Sequence, residues 1–142
     1  MIGNELLLVP TVAVIVRDDE GRVLLVRSVD TGRWQTIGGT IEPDEDPRDA
    51  AVREAREEAG VDVALGGILA VTGGPDFRVT YPNGDECSCV TVIYDATIVR
   101  GTPHHDGGDE ADAVQWFTPD ELATADVNDI NRHLLAAAVA AR

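Results

Sequence analysis

The stretch GGTIEPDEDPRDAAVREAREEAGV, residues 38–61, decides how this chain is read. Its middle has the grammar of one helix. Asp46 suits an N-cap and Pro47 a first helical residue, and Asp49 adds negative charge in the first turn, where the helix dipole welcomes it. Gly60 suits the position just past the end. The predicted helix therefore runs over 47–59. At roughly 100° per residue, with Glu54 at zero, Glu58 falls near +40° and Glu57 near −60°. Ala51, Ala55, Ala59 and Val52 span about +60° to +160° and form the stripe that packs on a sheet. The three glutamates then form a strip beside that stripe, at the rim of whatever cleft the helix borders. Arg53, four residues before Glu57, is placed to pair with it.

Such a strip works against the helix. Like charges at i,i+4 destabilise by about 0.2–0.5 kcal/mol, and acids near a helix C-terminus oppose the dipole by about 0.3–1 kcal/mol each. Arg53 and Arg56 offset part of this. One reading is a solvated charged face, which is common. The other is a divalent cation, which reverses the sign of the arrangement. Mg²⁺ favours oxygen ligands, keeps several waters and is held by a few carboxylates with substrate phosphate. Gly38-Gly39 ahead of the helix adds a side-chain-free turn where backbone can approach a metal or phosphate.

The rest of the chain frames this segment. Its 142 residues suit a single domain over 1–142, and 44% apolar residues suffice for a core. Strands are predicted over 11–17, 22–27, 34–37, 61–72, 77–81, 87–99 and 113–117, with 11–17 and 22–27 forming a hairpin. Pro82-Asn83-Gly84 is a turn. A short helix starts at Pro119 with Thr118 as its cap. A second covers 128–141 with Ile130, Leu134, Leu135 and Val139 as its core stripe. Strand pairs without a regular βαβ repeat predict an α/β fold, a mixed sheet with helices on both faces, an α/β/α sandwich.

Composition limits the partners. With 26 acidic and 11 basic side chains the formal net charge is −15. Such a surface disfavours a large nucleic acid and leaves a small phosphorylated molecule approached through a cation. The apolar run at 6–16 is broken by Pro10 and Thr11 and is too short for a bilayer, and Glu5 precedes it, so neither a membrane span nor a signal peptide is expected. A cytoplasmic location is expected. Cys87 and Cys89 read as two small thiols in a reducing compartment. His104 and His105 read as loop residues.

Gly39, five residues, Glu45, seven residues, then Arg53-Glu54-Ala55-Arg56-Glu57-Glu58-Ala59-Gly60-Val61 resembles the Nudix box in full, whose pattern is G-x5-E-x7-R-E-U-x-E-E-x-G-U with U a bulky apolar residue. Ala55 is small for a U position, and Ile37 stands where many members carry Pro. The strands before the box and the segment Trp116-Phe117-Thr118-Pro119-Asp120-Glu121-Leu122 extend the resemblance over nearly the whole length.

The resemblance implies the α/β/α Nudix fold and metal-dependent hydrolysis of a nucleoside diphosphate linked to another group, with Mg²⁺ or Mn²⁺ as cofactor. It implies Glu57 and Glu58 as metal ligands, Glu54 as a further ligand or the group that activates water, and the Gly38 carbonyl as a ligand in some members. Arg53 would orient Glu57, and Glu45 would tie the loop to the helix through Arg53. Members differ in whether the base is a helix glutamate or a late-loop carboxylate. Here the late-loop candidates are Asp109 and Glu110, which read equally well as a solvated acidic loop.

Substrate contacts are expected at Gly39, Trp34, Arg78 and Tyr81. Trp34, Tyr81 and Phe77 suit base stacking or core packing, and Arg78 and Arg27 suit phosphate or open surface. A small nucleotide is the expected partner: a nucleoside triphosphate, a nucleotide sugar or ADP-ribose. The alternative is a non-catalytic Nudix-fold module that binds a nucleotide as a sensor. A homodimer is compatible with the family.

Overall fold

The computed structural model describes residues 6–80, 83–105 and 111–140. In chain order the strands are β1 (Leu6–Val16), β2 (Val23–Ser28), β3 (Trp34–Thr40), β4 (Asp62–Thr72), β5 (Arg78–Thr80), β6 (Glu86–Arg100) and β7 (Ala111–Phe117). The helices are α1 (Pro47–Ala59), α2 (Pro119–Thr124) and α3 (Asp129–Ala140). One mixed sheet runs β4-β6-β1-β3-β2-β7, with β5 also paired to β6. Among the described strands β1 and β6 run parallel and the other paired strands are antiparallel.

Alternation along the central strands gives the sheet two apolar faces. Val12, Val14, Val16, Ile37, Tyr94 and Ala96 point to one, where Ala50, Ala51, Ala55 and Ala59 of α1 cover them. Ala13, Ile15, Leu25 and Ile93 point to the other, under Leu134, Leu135 and Ala138 of α3. This is the α/β/α sandwich expected from the sequence. Small alanines on α1 let its backbone lie close to the sheet, which brings the neighbouring glutamates against β3.

The expected hairpin of 11–17 with 22–27 is not formed. β3 lies between β1 and β2, and only an isolated bridge joins Arg17 to Val23. The turn after β1 is tight, as Gly21 N–H donates to the Asp18 carbonyl at 3.1 Å. The edge of β1 that β2 would have taken belongs to β3, paired from Thr11 to Val14, while β6 pairs along the other edge from Leu6 to Val16. A second correction concerns α3: Val139 is exposed, whereas Asn131 and Ala138 are buried beside Leu134 and Leu135. The buried spacing 131, 134, 135, 138 is the helical one. An asparagine occupies the position the apolar pattern assigned elsewhere.

Candidate active site

α1 forms as its sequence dictates. The Asp46 side chain accepts from the Arg48 N–H at 2.8 Å, and Gly60 closes the helix in the left-handed region at φ 69°. His104 completes that end. Its N–H donates to the Ala59 carbonyl at 2.9 Å, its Nδ1 lies 2.8 Å from the Thr102 carbonyl, and its ring lies where a Cβ on residue 60 would strike it. The loop after β6 is thereby tied to the end of α1, at the residue that follows Glu58.

The three glutamates differ sharply in exposure. Glu54 and Glu58 are 6% and 5% exposed, while the Glu57 side chain is 55% exposed. Burying carboxylates requires partners. Glu58 Oε2 accepts from the Gly38 N–H at 2.8 Å. In an antiparallel strand a residue's N–H and C=O leave on the same side, so the Gly38 carbonyl also faces away from β1. Glu54 Oε1 accepts from Arg53 Nη1 at 2.9 Å. A Cβ on residue 39 would sit 2.5 Å from that same oxygen, so glycine there is what admits Glu54 to this place. At Gly38 an added Cβ would collide with the Val12 carbonyl of β1.

Arg53 is the hub. Its Nε and Nη2 form a two-pronged pair with Glu45 Oε2 and Oε1 at 2.8 and 2.9 Å. Nη2 also donates to the Thr40 carbonyl at 3.2 Å, and Nη1 to Glu57 Oε2 at 3.2 Å. One guanidinium thus links the loop before α1, the end of β3 and two turns of α1. The Arg53 guanidinium, with the Glu42 backbone, holds the Glu45 carboxyl down to about 2. Its acid partners push Arg53 itself further up, Glu45 foremost. Glu45 Oε1 also accepts from the Glu42 N–H at 3.1 Å, which folds 42–45 into a turn.

Gly38, Gly39, Thr40, Glu42, Arg53, Glu54 and Glu57 line an open cleft of about 370 Å³. Its donors are carboxylates and backbone oxygens, the hard set that suits Mg²⁺ or Mn²⁺ over thiolate-seeking metals. Among the described residues, no three acidic, histidine or cysteine side chains close on a common point as a ready-made metal cage. Arg53 holds Glu54 and Glu57 along one wall instead, while Glu58, bonded to the Gly38 N–H, lies behind Gly38 and is not among the lining residues. That arrangement fits an ion that keeps several waters and takes its remaining ligands from a substrate.

The expected site residues fall into three groups. Gly38, Gly39, Arg53, Glu54, Glu57 and Glu58 come together at the α1–β3 junction. Trp34 and Arg78 lie elsewhere. Trp34 packs edge-on against Phe117 at 5.0 Å with the Arg27 guanidinium 5.7 Å from its ring, and Arg78 is exposed on β5; neither lines the cleft. Tyr81, Asp109 and Glu110 lie outside the described residues. Sequence reasoning missed the Thr40 carbonyl, for backbone groups leave no trace in residue identity. It also missed the buried Asn131, for which a lone asparagine amid the leucines and alanines of α3 was the available signal.

Comparison with known proteins identifies the fold and the family. The NUDIX domain model matches residues 7–138. A relative from Salmonella heidelberg, strain SL476, called nucleoside triphosphatase NudI, is 36% identical over 126 residues, covering 83% of this chain and 88% of its own. Among solved structures, the MutT protein from Methanosarcina mazei Go1 superposes with a TM-score of 0.75 at 18% identity, covering 96% of this chain and 94% of that one. An ADP-ribose pyrophosphatase from Streptococcus suis 89-1591 does so with a TM-score of 0.71 at 23% identity, covering 94% and 92%. The two structures speak for the fold; the family match over nearly the whole chain, together with the relative above, shows that this chain belongs to the Nudix hydrolase family, enzymes of phosphoanhydride bonds.

Proposed function

We propose that this chain hydrolyses the diphosphate linkage of a small nucleotide of the nucleoside triphosphate class, with Mg²⁺ or Mn²⁺ as the cofactor. The observation that carries this reading is the Arg53 hub. One cation bonds Glu45, Glu54 and Glu57 at 2.8–3.2 Å beside a cleft floored by Gly38 and Gly39. A structural helix gains nothing from this crowding, whereas an ion-assisted phosphate site needs carboxylates held in place before substrate arrives. The relative called a nucleoside triphosphatase favours a triphosphate over the nucleotide sugars and ADP-ribose.

In this reading Glu57 and Glu58 hold the ion, with Glu54 and the Gly38 carbonyl as further donors. When bound, the ion neutralises diphosphate charge and eases deprotonation of water. The chain's own residues do the rest. Arg53 fixes the Glu57 and Glu54 carboxylates from one side. The Gly38 N–H fixes Glu58 from the other. Water attacks phosphorus, the anhydride P–O bond breaks, and the proton passes to a carboxylate, for which Glu54 is the candidate beside the cleft and Asp109 and Glu110 are the late-loop candidates. The side-chain-free Gly38-Gly39 edge admits the phosphates to backbone distance.

The test is product formation by purified protein with Mg²⁺ or Mn²⁺ on nucleoside triphosphates, nucleotide sugars, ADP-ribose and dinucleoside polyphosphates. Glu57→Gln and a chelator are the controls. Turnover of triphosphates lost in both controls supports the reading. Metal and nucleotide binding without turnover of any substrate would replace it with a nucleotide-binding module.

A further inference from the structure

Three backbone groups of β3 are bonded to helix side chains. Glu58 of α1 accepts from the Gly38 N–H at 2.8 Å, and Arg53 of α1 donates to the Thr40 carbonyl at 3.2 Å. The third partner comes from α3, on the other layer. Asn131 Oδ1 accepts from the Thr36 N–H at 2.9 Å and from Thr36 Oγ1 at 3.0 Å. The bonds at Thr36 and Thr40 bracket Gly38, two residues to either side, about 7 Å along an extended strand.

The bracketed residues have little else to hold them. Glycine has the widest backbone freedom and no side chain to pack. The Gly38 N–H nevertheless holds Glu58, which is 5% exposed. The place of that carboxylate therefore follows the place of the Gly38 peptide.

Asn131 is well fixed for such a task. It and Thr36 are both buried. Its Nδ2 and its own N–H both donate to Asn128 Oδ1, each at 2.9 Å, so the start of α3 sets its orientation. Leu134, Leu135 and Ala138 join α3 to the sheet by apolar contact, which is non-directional. The bonds to Thr36 are directional and set where α3 stands along β3. A leucine at 131 would continue the apolar stripe and leave the Thr36 N–H without its partner.

We propose that Asn131 is a positioning residue of the active site: from α3 it fixes the β3 backbone at Thr36, so that the Gly38 amide, and Glu58 through it, stand where the ion is to be held. The inference rests on the hydrolase reading above for its effect on turnover, and the first arm of its test is independent of turnover.

That arm is amide hydrogen exchange at Gly38, followed by NMR without divalent ion in the wild type, Asn131→Leu and Leu135→Ala. Leu135→Ala weakens the same helix and leaves the bonds to Thr36 in place. Relative to the Ile93 amide in the middle of the sheet, exchange at Gly38 should quicken at least about tenfold in Asn131→Leu and less than about twofold in Leu135→Ala. Equal quickening in both variants, or none in Asn131→Leu, overturns the inference and leaves Asn131 a packing residue. The second arm is kinetic. Asn131→Leu should lower kcat at least about tenfold and raise the Mg²⁺ concentration for half-maximal turnover, with KM within about twofold. Asn131→Asp keeps both bonds to Thr36 while burying a charge, so its melting temperature should fall but its kcat stay within about threefold of the wild type. Equal loss of kcat in Asn131→Asp and Asn131→Leu overturns the inference. So does a loss seen with nucleoside triphosphates and absent with methyl triphosphate, for the side chain would then act on the organic part of the substrate. No turnover by the wild type, with Gly38 exchange quickened as expected, removes the hydrolase reading and keeps the positioning of Gly38 by Asn131.

Discussion

Arg53 is where structure and proposed chemistry are most tightly joined, and replacing it separates them. Its five hydrogen bonds go to Glu45, Thr40, Glu54 and Glu57, and its side chain is 25% exposed. Removing one partner of a fully buried pair costs about 3–5 kcal/mol, and exposed pairs contribute about 1 kcal/mol or less. For this partly shielded hub the loss in Arg53→Ala is about 2–4 kcal/mol, because the two-pronged pair with Glu45 and the bonds to Glu54, Glu57 and the Thr40 carbonyl go together. An unfolding entropy of about 2.1 cal/mol/K per residue over 142 residues gives roughly 0.3 kcal/mol/K. The melting temperature should fall by about 7–13 °C. Arg53→Lys keeps the charge but loses the two-pronged geometry, so it should fall by about half as much while kcat drops at least about 100-fold, since small misplacement of the reacting groups has that effect. Saturating Mg²⁺ should raise the melting temperature of Arg53→Ala more than that of the wild type, for the ion then supplies the missing positive charge. Thermal unfolding by circular dichroism and steady-state hydrolysis are the two assays. If Arg53→Lys keeps wild-type kcat and melting temperature, the hub does not position the carboxylates and the reasoning fails.

Three further outcomes follow from the same geometry. Glu57→Gln should cut kcat by at least about 100-fold and leave the melting temperature within about 2 °C, because Glu57 is exposed and surface changes stay near ±0.5 kcal/mol; a large fall in melting temperature would make its role structural. Glu45 has a folded-state value depressed from 4.5 to about 2 by Arg53 and the Glu42 N–H, so its stabilisation is complete above about pH 4.5 and is lost as pH falls through about 2. The melting-temperature gap between wild type and Glu45→Gln should therefore be constant from pH 7 to about 5, then close toward pH 2; a gap that persists at pH 2 would mean that Glu45 acts by packing alone. Thr118 and Glu121 form a reciprocal cap on α2 at 3.1 and 2.9 Å. Thr118→Ala should cost about 1 kcal/mol, near 3 °C, with kcat unchanged, and any change in kcat would tie α2 to the site.

The sequence by itself determined α1 from cap to cap, the alanine stripe it buries, the Arg53–Glu57 pair and the α/β/α layering. These depend on residues within one or two turns, where spacing translates directly into position. It also carried the family's box, a local pattern on one loop and one helix. Tertiary structure decided what depends on distant partners. β3 takes the edge of β1 that faces β2, and β6, some 80 residues away, takes the other, a choice of partners that no local pattern reveals. Glu54 and Glu58 are buried because the Gly38-Gly39 edge packs against α1 and offers an N–H and an open space. The glutamates' spacing alone placed them at the rim of whatever cleft the helix borders. Trp34 is half-buried and meets Phe117 edge-on at the margin of the core, as an aromatic flanked by strands is free to do. Side chains that meet across the sheet are brought together by packing, and packing is a property of the whole chain.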